Sequence, residues 1–264
     1  MISEADIALA HRLAEAAAAA IRPHFRALDG TESKDDASPV TVADRAAEEA
    51  MRRILKAELP QDGVAGEEFG TEEGRSGRQW VLDPIDGTRS FIVGRPIFGT
   101  LIALLDNGFP VLGIIDQPIL GERWLGVVGR PTTFNGAPVR TRVCPRLEGA
   151  QIATTTPHQF EGHDAEHFMA LIETVADGRL LQGPVYGGDC YNYGLLASGH
   201  IDLVCEAGLK LHDFAALVPV VEGAGGTMAD WNGEPLHAGS DGHVIALGDP
   251  ARLEDVVEAL ACGH

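Results

Sequence analysis

The chain has 264 residues, is 45% hydrophobic and carries a formal net charge of -19, which allows a sizeable core and argues against a nucleic-acid-binding surface. Its four cysteines are widely spaced, with no CxxC or histidine-rich companion, which excludes a disulfide framework and a zinc module in favour of buried reduced thiols. Acids at Glu4 and Asp6 and the charged neighbours of the alanine-rich run fit neither a signal peptide nor a spanning helix, so the expected location is cytoplasmic.

Residues 4 to 25 place Ile7, Ala10, Leu13, Ala14, Ala17, Ile21 and Phe25 near helical spacing and predict a first amphipathic helix. A polar stretch follows, where Lys34, Asp35 and Asp36 are expected in a mobile loop. Thr41 and Asp44 have capping-box-like spacing ahead of a second helix, with Ala47, Ala50, Met51, Ile54 and Leu55 on one face and an end near Pro60. Taken alone, Asp44 reads as a cap. Gly66-Glu67-Glu68-Phe69-Gly70 reads as a strand end and loop, and exposed loop glutamates are common.

Trp80-Val81-Leu82 predicts a short buried strand. Pro84 cannot extend its hydrogen-bond ladder, so Asp83 and Asp86 are expected on the turn beyond it. Two neighbouring carboxylates at the mouth of a core repel one another, and a cation removes that penalty. The other reading is a helix N-terminus in which Asp86 caps and Asp83 is solvated. Gly87 permits a positive φ or close backbone approach, and the N–H groups of Gly87 and Thr88 suit an anion.

Runs at 97–105, 111–115 and 123–127, separated by turn residues, predict an antiparallel meander, and Asn135-Gly136 a further hairpin. Around residues 145–148 consecutive strands give way to alternating strands and helices. A subdomain boundary is therefore expected there, between residues 1–147 and 148–264. Beyond it come a strand at 151–155, a helix at 165–175, a short strand at Leu180-Leu181, and a helix after Gly187-Gly188-Asp189-Cys190 that runs through Ser198. A strand at 201–204 leaves Glu206 just past its end. Open α/β sheets bind ligands beyond the carboxyl ends of their strands, which makes Asp189 and Glu206 pocket candidates; the alternatives are a cap and a solvated side chain. Residues 212–226 predict one buried helix whose first acid, Asp213, is an N-cap, a ligand or both. Strands at 227–229 and 244–247 and a helix at 250–261 complete the chain.

The candidate ligands Glu67, Asp83, Asp86 and Asp213 offer oxygen only, which selects hard cations, Mg²⁺ first and Mn²⁺ second. Such ions attract and polarise a phosphate and activate water, which describes a metal-assisted phosphomonoesterase. Thr88, bonded to a carboxylate such as Asp44, is placed to orient that water. Neither GxSxG nor a P-loop occurs.

Gly66-Glu67-Glu68, Asp83-Pro84-Ile85-Asp86-Gly87-Thr88 and His212-Asp213-Phe214-Ala215-Ala216 with Glu222-Gly223-Ala224-Gly225-Gly226 resemble, in order and spacing, the inositol monophosphatase family of Mg²⁺-dependent phosphatases. The resemblance covers nearly the whole chain. It implies an α/β fold, a layered αβαβα sandwich of two packed subdomains. It also implies metal ligation by Glu67, Asp83, the Ile85 carbonyl, Asp86 and Asp213, with Thr88 and Asp44 positioning water and two or three Mg²⁺ ions bound. Residues 61–70 and 114–118, Thr154 to His158 and Gly188-Asp189-Cys190-Tyr191 are most similar to the branch of that family acting on histidinol phosphate. That likeness implies substrate contacts from Gly87, Thr88, Gly188, Asp189, Cys190, Glu206 and Asp213. One departure is His212, where most members have Trp. A pair of acids at Asp189 and Glu206 also suits an amine- and imidazole-bearing leaving group better than a polyol. The family alternative is an inositol or sugar phosphate as substrate. A metal-binding regulatory protein is the non-enzymatic one, against which the intact Asp44, Glu67, Asp83, Asp86, Thr88 and Asp213 argue. A homodimer is expected.

Overall fold

The computed structural model describes residues 2–27, 31–33, 39–176 and 183–262. Helix α1 (Glu4–Ile21) opens on a capping box, in which Ser3 Oγ accepts from Asp6 N and Asp6 accepts from Ser3 N. The helix stops earlier than expected, because the chain tightens into a 3₁₀ turn at Arg22–His24 around Pro23. Strands β1 (Thr31–Ser33) and β2 (Pro39–Thr41) pair antiparallel, and α2 (Val42–Glu58) follows at once. The loop expected at Lys34, Asp35 and Asp36 lies outside the described residues. The buried stripe Ala43, Ala47, Met51 and Leu55 joins α1 and the sheet below in one apolar cluster.

That sheet has eight strands: β3 (Gly63–Gly66), β4 (Gly70–Glu72), β5 (Arg78–Asp86), β6 (Gly99–Asp106), β7 (Phe109–Gln117), β8 (Glu122–Val127), β9 (Thr133–Phe134) and β10 (Ala137–Pro138), in the order β10-β9-β8-β7-β6-β5-β3-β4. The expected meander is present in β6 to β8, all antiparallel. Asn107 and Asn135 adopt φ of 51° and 48°, each followed by a glycine at positive φ, the pattern of the tight hairpin turns between β6 and β7 and between β9 and β10. β5 corrects the expectation that the strand ends at Asp83. It continues to Asp86 across a register shift: Asp83 pairs with Leu101 and Asp86 with Gly99, so Pro84 and Ile85 together oppose Thr100. The bulge lets a proline sit inside a strand, because the extra residue needs no ladder hydrogen bond. Thr100 Oγ1 instead donates to the Pro84 carbonyl at 2.7 Å. The five-residue helix α3 (Thr88–Ile92) follows.

Past residue 150 come β11 (Ile152–Thr154), α4 (His163–Ala176), β12 (Val185–Tyr186), α5 (Asp189–Ala197), β13 (Leu203–Glu206), α6 (Leu211–Phe214), α7 (Leu217–Gly223), β14 (Thr227–Ala229), β15 (Val244–Leu247) and α8 (Leu253–Ala261). They form a second sheet of order β12-β11-β13-β15-β14, in which β11 is parallel to both β12 and β13. The strand expected at Leu180-Leu181 lies outside the described residues. The strand expected at 201–204 is β13 at Leu203–Glu206, so Glu206 is its last residue rather than just past its end. The single helix expected over 212–226 is two, α6 and α7. Pro219 has no N–H to donate to the Ala215 carbonyl, and the ladder breaks between the two helices.

Stacking gives the layers α1 and α2, the eight-stranded sheet, α5 to α7, the five-stranded sheet, and α4 with α8, an αβαβα sandwich of the α/β class. The central layer is pressed close. A Cβ on Gly113 of β7 would lie 1.9 Å from the Ala216 carbonyl oxygen, and one on Gly126 of β8 would lie 2.1 Å from that of Pro219. Among the described residues no helix is long and apolar enough to cross a membrane.

Candidate metal centre

The β5 bulge brings Asp83 and Asp86 to one spot, with Ile85 between them packed in the apolar core. Asp83 is 2% exposed, and its Oδ1 is buried with no hydrogen-bond partner. Asp86 Oδ2 accepts from the backbone N–H of Cys190 at 2.6 Å, so this acid is tied to the start of α5 across the layers. This removes the reading of Asp86 as a helix cap. The cap of α3 is Gly87 itself, at φ 88°, and no side chain closes it. A Cβ at Gly87 would also lie 2.9 Å from Asp189 Oδ2, so glycine is required twice over. Thr88 Oγ1 donates to the Ile85 carbonyl at 3.1 Å.

Glu67 follows β3, with its N–H bonded to the Leu82 carbonyl. Its turn is anchored from α2: the fully buried Glu48 accepts from Glu68 N at 2.7 Å and Phe69 N at 3.2 Å, and Arg52 Nε reaches the same carboxylate at 2.7 Å. Gly66 is forced by this contact, since a Cβ there would lie 2.0 Å from Glu48 Oε1. Sequence reading missed Glu48, because a helical Glu four residues before an Arg has the spacing of an exposed ion pair. Asp44, on the same helix, is 1% exposed and close enough to add to the charge felt by Asp83.

Asp213 stands at the third position of α6, not at its N-cap, and reaches back to accept from Lys210 N at 2.7 Å. Its oxygens, with those of Asp83 and Asp86, provide three ligand atoms within 4.8 Å of one another. Glu67, Asp83 and a ring nitrogen of His212 form a second such group.

The remaining candidates meet at the carboxyl ends of β11, β12 and β13. Gly187, Gly188 and Asp189 take φ of 85°, 114° and 43° in succession, turning the chain into α5. A left-handed aspartate costs strain, and Asn192 Nδ2 holds the turn through the Gly187 carbonyl at 3.0 Å. Gly188, not Asp189, is the cap of α5; the Asp189 carboxylate is bonded instead by Ser90. Glu206 is 2% exposed and accepts from Thr155 N at 2.9 Å and Thr155 Oγ1 at 2.8 Å, so it is neither exposed nor solvated.

Burial raises Asp83 well above the usual carboxylate range, and the charges of Glu67, Asp86, Asp213 and Asp44 add to it. Asp86 is raised likewise by burial, then by Asp189 and Asp213, against the Cys190 bonds. Burial also lifts Asp213, opposed by His212 and by the Lys210 N–H. Asp189 is pushed up to about 6 by burial and Asp213, in spite of Ser90, Arg95 and Arg89. Glu206 is raised to about 7 by burial, with the Thr155 bonds opposing and Asp189 and Asp213 reinforcing. Crowded buried carboxylates and an orphaned Asp83 oxygen are unfavourable for the protein alone. A hard divalent cation satisfies that oxygen and removes the repulsion, so the donor set fits one.

A model described as the inositol monophosphatase family matches residues 2–262. A bifunctional phosphatase, IMPL2, of Arabidopsis thaliana is 48% identical, over 96% of this chain and 74% of that protein. A histidinol-phosphatase of Chlorobaculum parvum is 37% identical, over 91% of this chain and 92% of its own. Among solved structures, an inositol monophosphatase from Zymomonas mobilis superposes with a TM-score of 0.88 at 55% identity, covering 98% of both chains.

Proposed function

The chain belongs to the inositol monophosphatase family, whose members are metal-dependent phosphatases, and we propose that it hydrolyses L-histidinol phosphate to L-histidinol and phosphate with Mg²⁺. The observation that carries the substrate is the pair Asp189 and Glu206, raised to about 6 and about 7 beside the metal acids. A cationic ligand relieves both, whereas a polyol leaves the charges facing one another.

In this reading Glu67, Asp83, the Ile85 carbonyl, Asp86 and Asp213 hold Mg²⁺, which when bound neutralises phosphate charge and activates water by Lewis acidity. The chain's own groups do the rest. Thr88, working with Asp44, orients the attacking water and accepts its proton through the pair, its hydroxyl turning from the Ile85 carbonyl to Asp44 to do so. The N–H groups of Gly87 and Thr88 hold phosphate oxygens at the start of α3, where first-turn donors lack intrahelical acceptors. Water adds to phosphorus, the ester P–O bond breaks, and the leaving oxygen takes up a proton. Gly188, Asp189, Cys190 and Glu206 hold the amine-bearing part. A cytoplasmic homodimer is part of the same proposal.

A second reading is favoured by the Zymomonas mobilis likeness, which carries the name inositol monophosphatase at 55% identity: inositol or a sugar phosphate as substrate. Phosphate release from histidinol phosphate and from inositol phosphate at equal Mg²⁺ separates them. The proposal expects the higher kcat/KM with histidinol phosphate, and the reverse order overturns it. Asp86→Asn keeps an acceptor for Cys190 N and removes one ligand charge, so kcat should fall by more than about 100-fold with the circular dichroism unchanged. Mg²⁺-dependent turnover at the wild-type rate would remove Asp86 from the site.

A further inference from the structure

His212 precedes Asp213 on α6 and faces the same cluster. Its side chain is 17% exposed, with Nε2 3.5 Å from Asp213 Oδ1. One ring nitrogen and one oxygen each from Glu67 and Asp83 all lie within 4.8 Å of one another. Asp83 thus belongs to two overlapping donor groups, one of carboxylates alone with Asp86 and Asp213, the other mixed with Glu67 and His212. Its buried, unpartnered Oδ1 independently points to a ligand at this spot. An indole or a phenyl ring there would add no lone pair, whereas a neutral imidazole contributes a borderline nitrogen donor.

We propose that His212 is itself a metal ligand, so that the position between Glu67 and Asp83 is a mixed nitrogen and oxygen site favouring Mn²⁺, Co²⁺ or Zn²⁺ over Mg²⁺. The inference rests on the metal-dependent reading of the same cluster. Imidazole suits the later divalent metals, while carboxylates alone leave the preference with Mg²⁺ and Mn²⁺.

Pulsed electron paramagnetic resonance of the full chain loaded with Mn²⁺ tests it without any turnover. The wild-type protein should show the coupling of one directly bound ¹⁴N, replaced by ¹⁵N when the protein is grown on ¹⁵N-histidine. His212→Phe should lose that coupling, and its Zn²⁺ to Mg²⁺ affinity ratio should fall by about tenfold or more. His212→Tyr serves as the second variant, and the wild-type isotope comparison depends on neither. Bound Mn²⁺ without a directly coordinated nitrogen, or a nitrogen signal unchanged in both variants, overturns the proposal and leaves the carboxylate site intact. Mn²⁺ binding that is absent, or indifferent to Asp83→Asn, overturns both.

Discussion

Burial of the Glu206 carboxyl makes its ionisation costly to the fold. That carboxyl sits at about 7 in the folded protein, against about 4.3 in an unfolded chain. The folded state therefore keeps the proton longer. The group is harmless to stability below the unfolded value, and stability falls as pH rises from there through the folded one, by about 4 kcal/mol once both states are ionised. Glu206→Gln retains an acceptor for Thr155 and removes the charge. The metal-free variant should resist urea better than wild type near pH 8 and match it near pH 4. An equal difference at both values would mean that packing, not ionisation, is responsible. The same variant should raise KM for a cationic phosphate ester more than for a neutral polyol phosphate. Glu206 was legible as a pocket candidate from its place after an apolar run, and its role in the pocket is a proposal. Its partner in burial, Thr155, carried no signal beyond its place at the end of an expected strand, because a strand-end threonine has many equivalent uses. Glu48 was invisible for a stronger reason: what it holds, the turn at Glu68 and Phe69, is 20 and 21 residues away.

At the scale of elements, the seating of α7 on β7 and β8 depends on two glycines used for closeness rather than for φ. The missing Cβ of Gly126 would meet the Pro219 carbonyl at 2.1 Å, and that of Gly113 the Ala216 carbonyl at 1.9 Å. Backbone atoms cannot rotate out of the way, so the helix must shift. Gly126→Ala should destabilise the protein by about 3 kcal/mol in urea titrations. Gly113→Ala should do the same and weaken Mg²⁺ binding as well, because Ala216 lies three residues from Asp213. Stability within about 0.5 kcal/mol of wild type for either would show that the layers are not in this contact. These approaches are tertiary, and no local pattern announces them. The boundaries misplaced at β5 and at 212–226 have local causes. The apolar run at 212–226 suggested one helix, although Pro219 within it removes a donor and leaves α6 and α7 as separate pieces. At β5 the proline suggested an end, but a bulge accommodates it and carries Asp86 on the strand, where the Cys190 N–H can reach it. Both boundaries fall beside candidate metal acids, where regular structure gives way to aimed side chains.

The whole molecule brings together acids from three segments, at Glu67, at Asp83 with Asp86, and at Asp213. Their spacing was readable only as a motif, and the layers supply the convergence that spacing alone cannot. Because the unfolded chain has no such convergence, Mg²⁺ held at the proposed site would bind the folded state alone and stabilise it by mass action, about 2.7 kcal/mol at 100 times Kd. For a chain of this size that is a rise in Tm of about 5 °C or more. The formal charge of -19 offers a competing cause, since any salt screens self-repulsion over about 10 Å at 0.1 M. The two are separable. Screening depends on ionic strength and spreads over the surface, whereas the site demands a divalent ion and specific carboxylates. After removal of metal with EDTA, Mg²⁺ should restore Tm and phosphatase activity together, and NaCl at matched ionic strength should restore neither. In Asp83→Asn the buried repulsion is already relieved, so the metal-free protein should melt higher than wild-type apoprotein and gain little from Mg²⁺. If Asp83→Asn gained as many degrees from Mg²⁺ as wild type does, the stabilisation would belong to the charged surface and the buried acids would need another explanation.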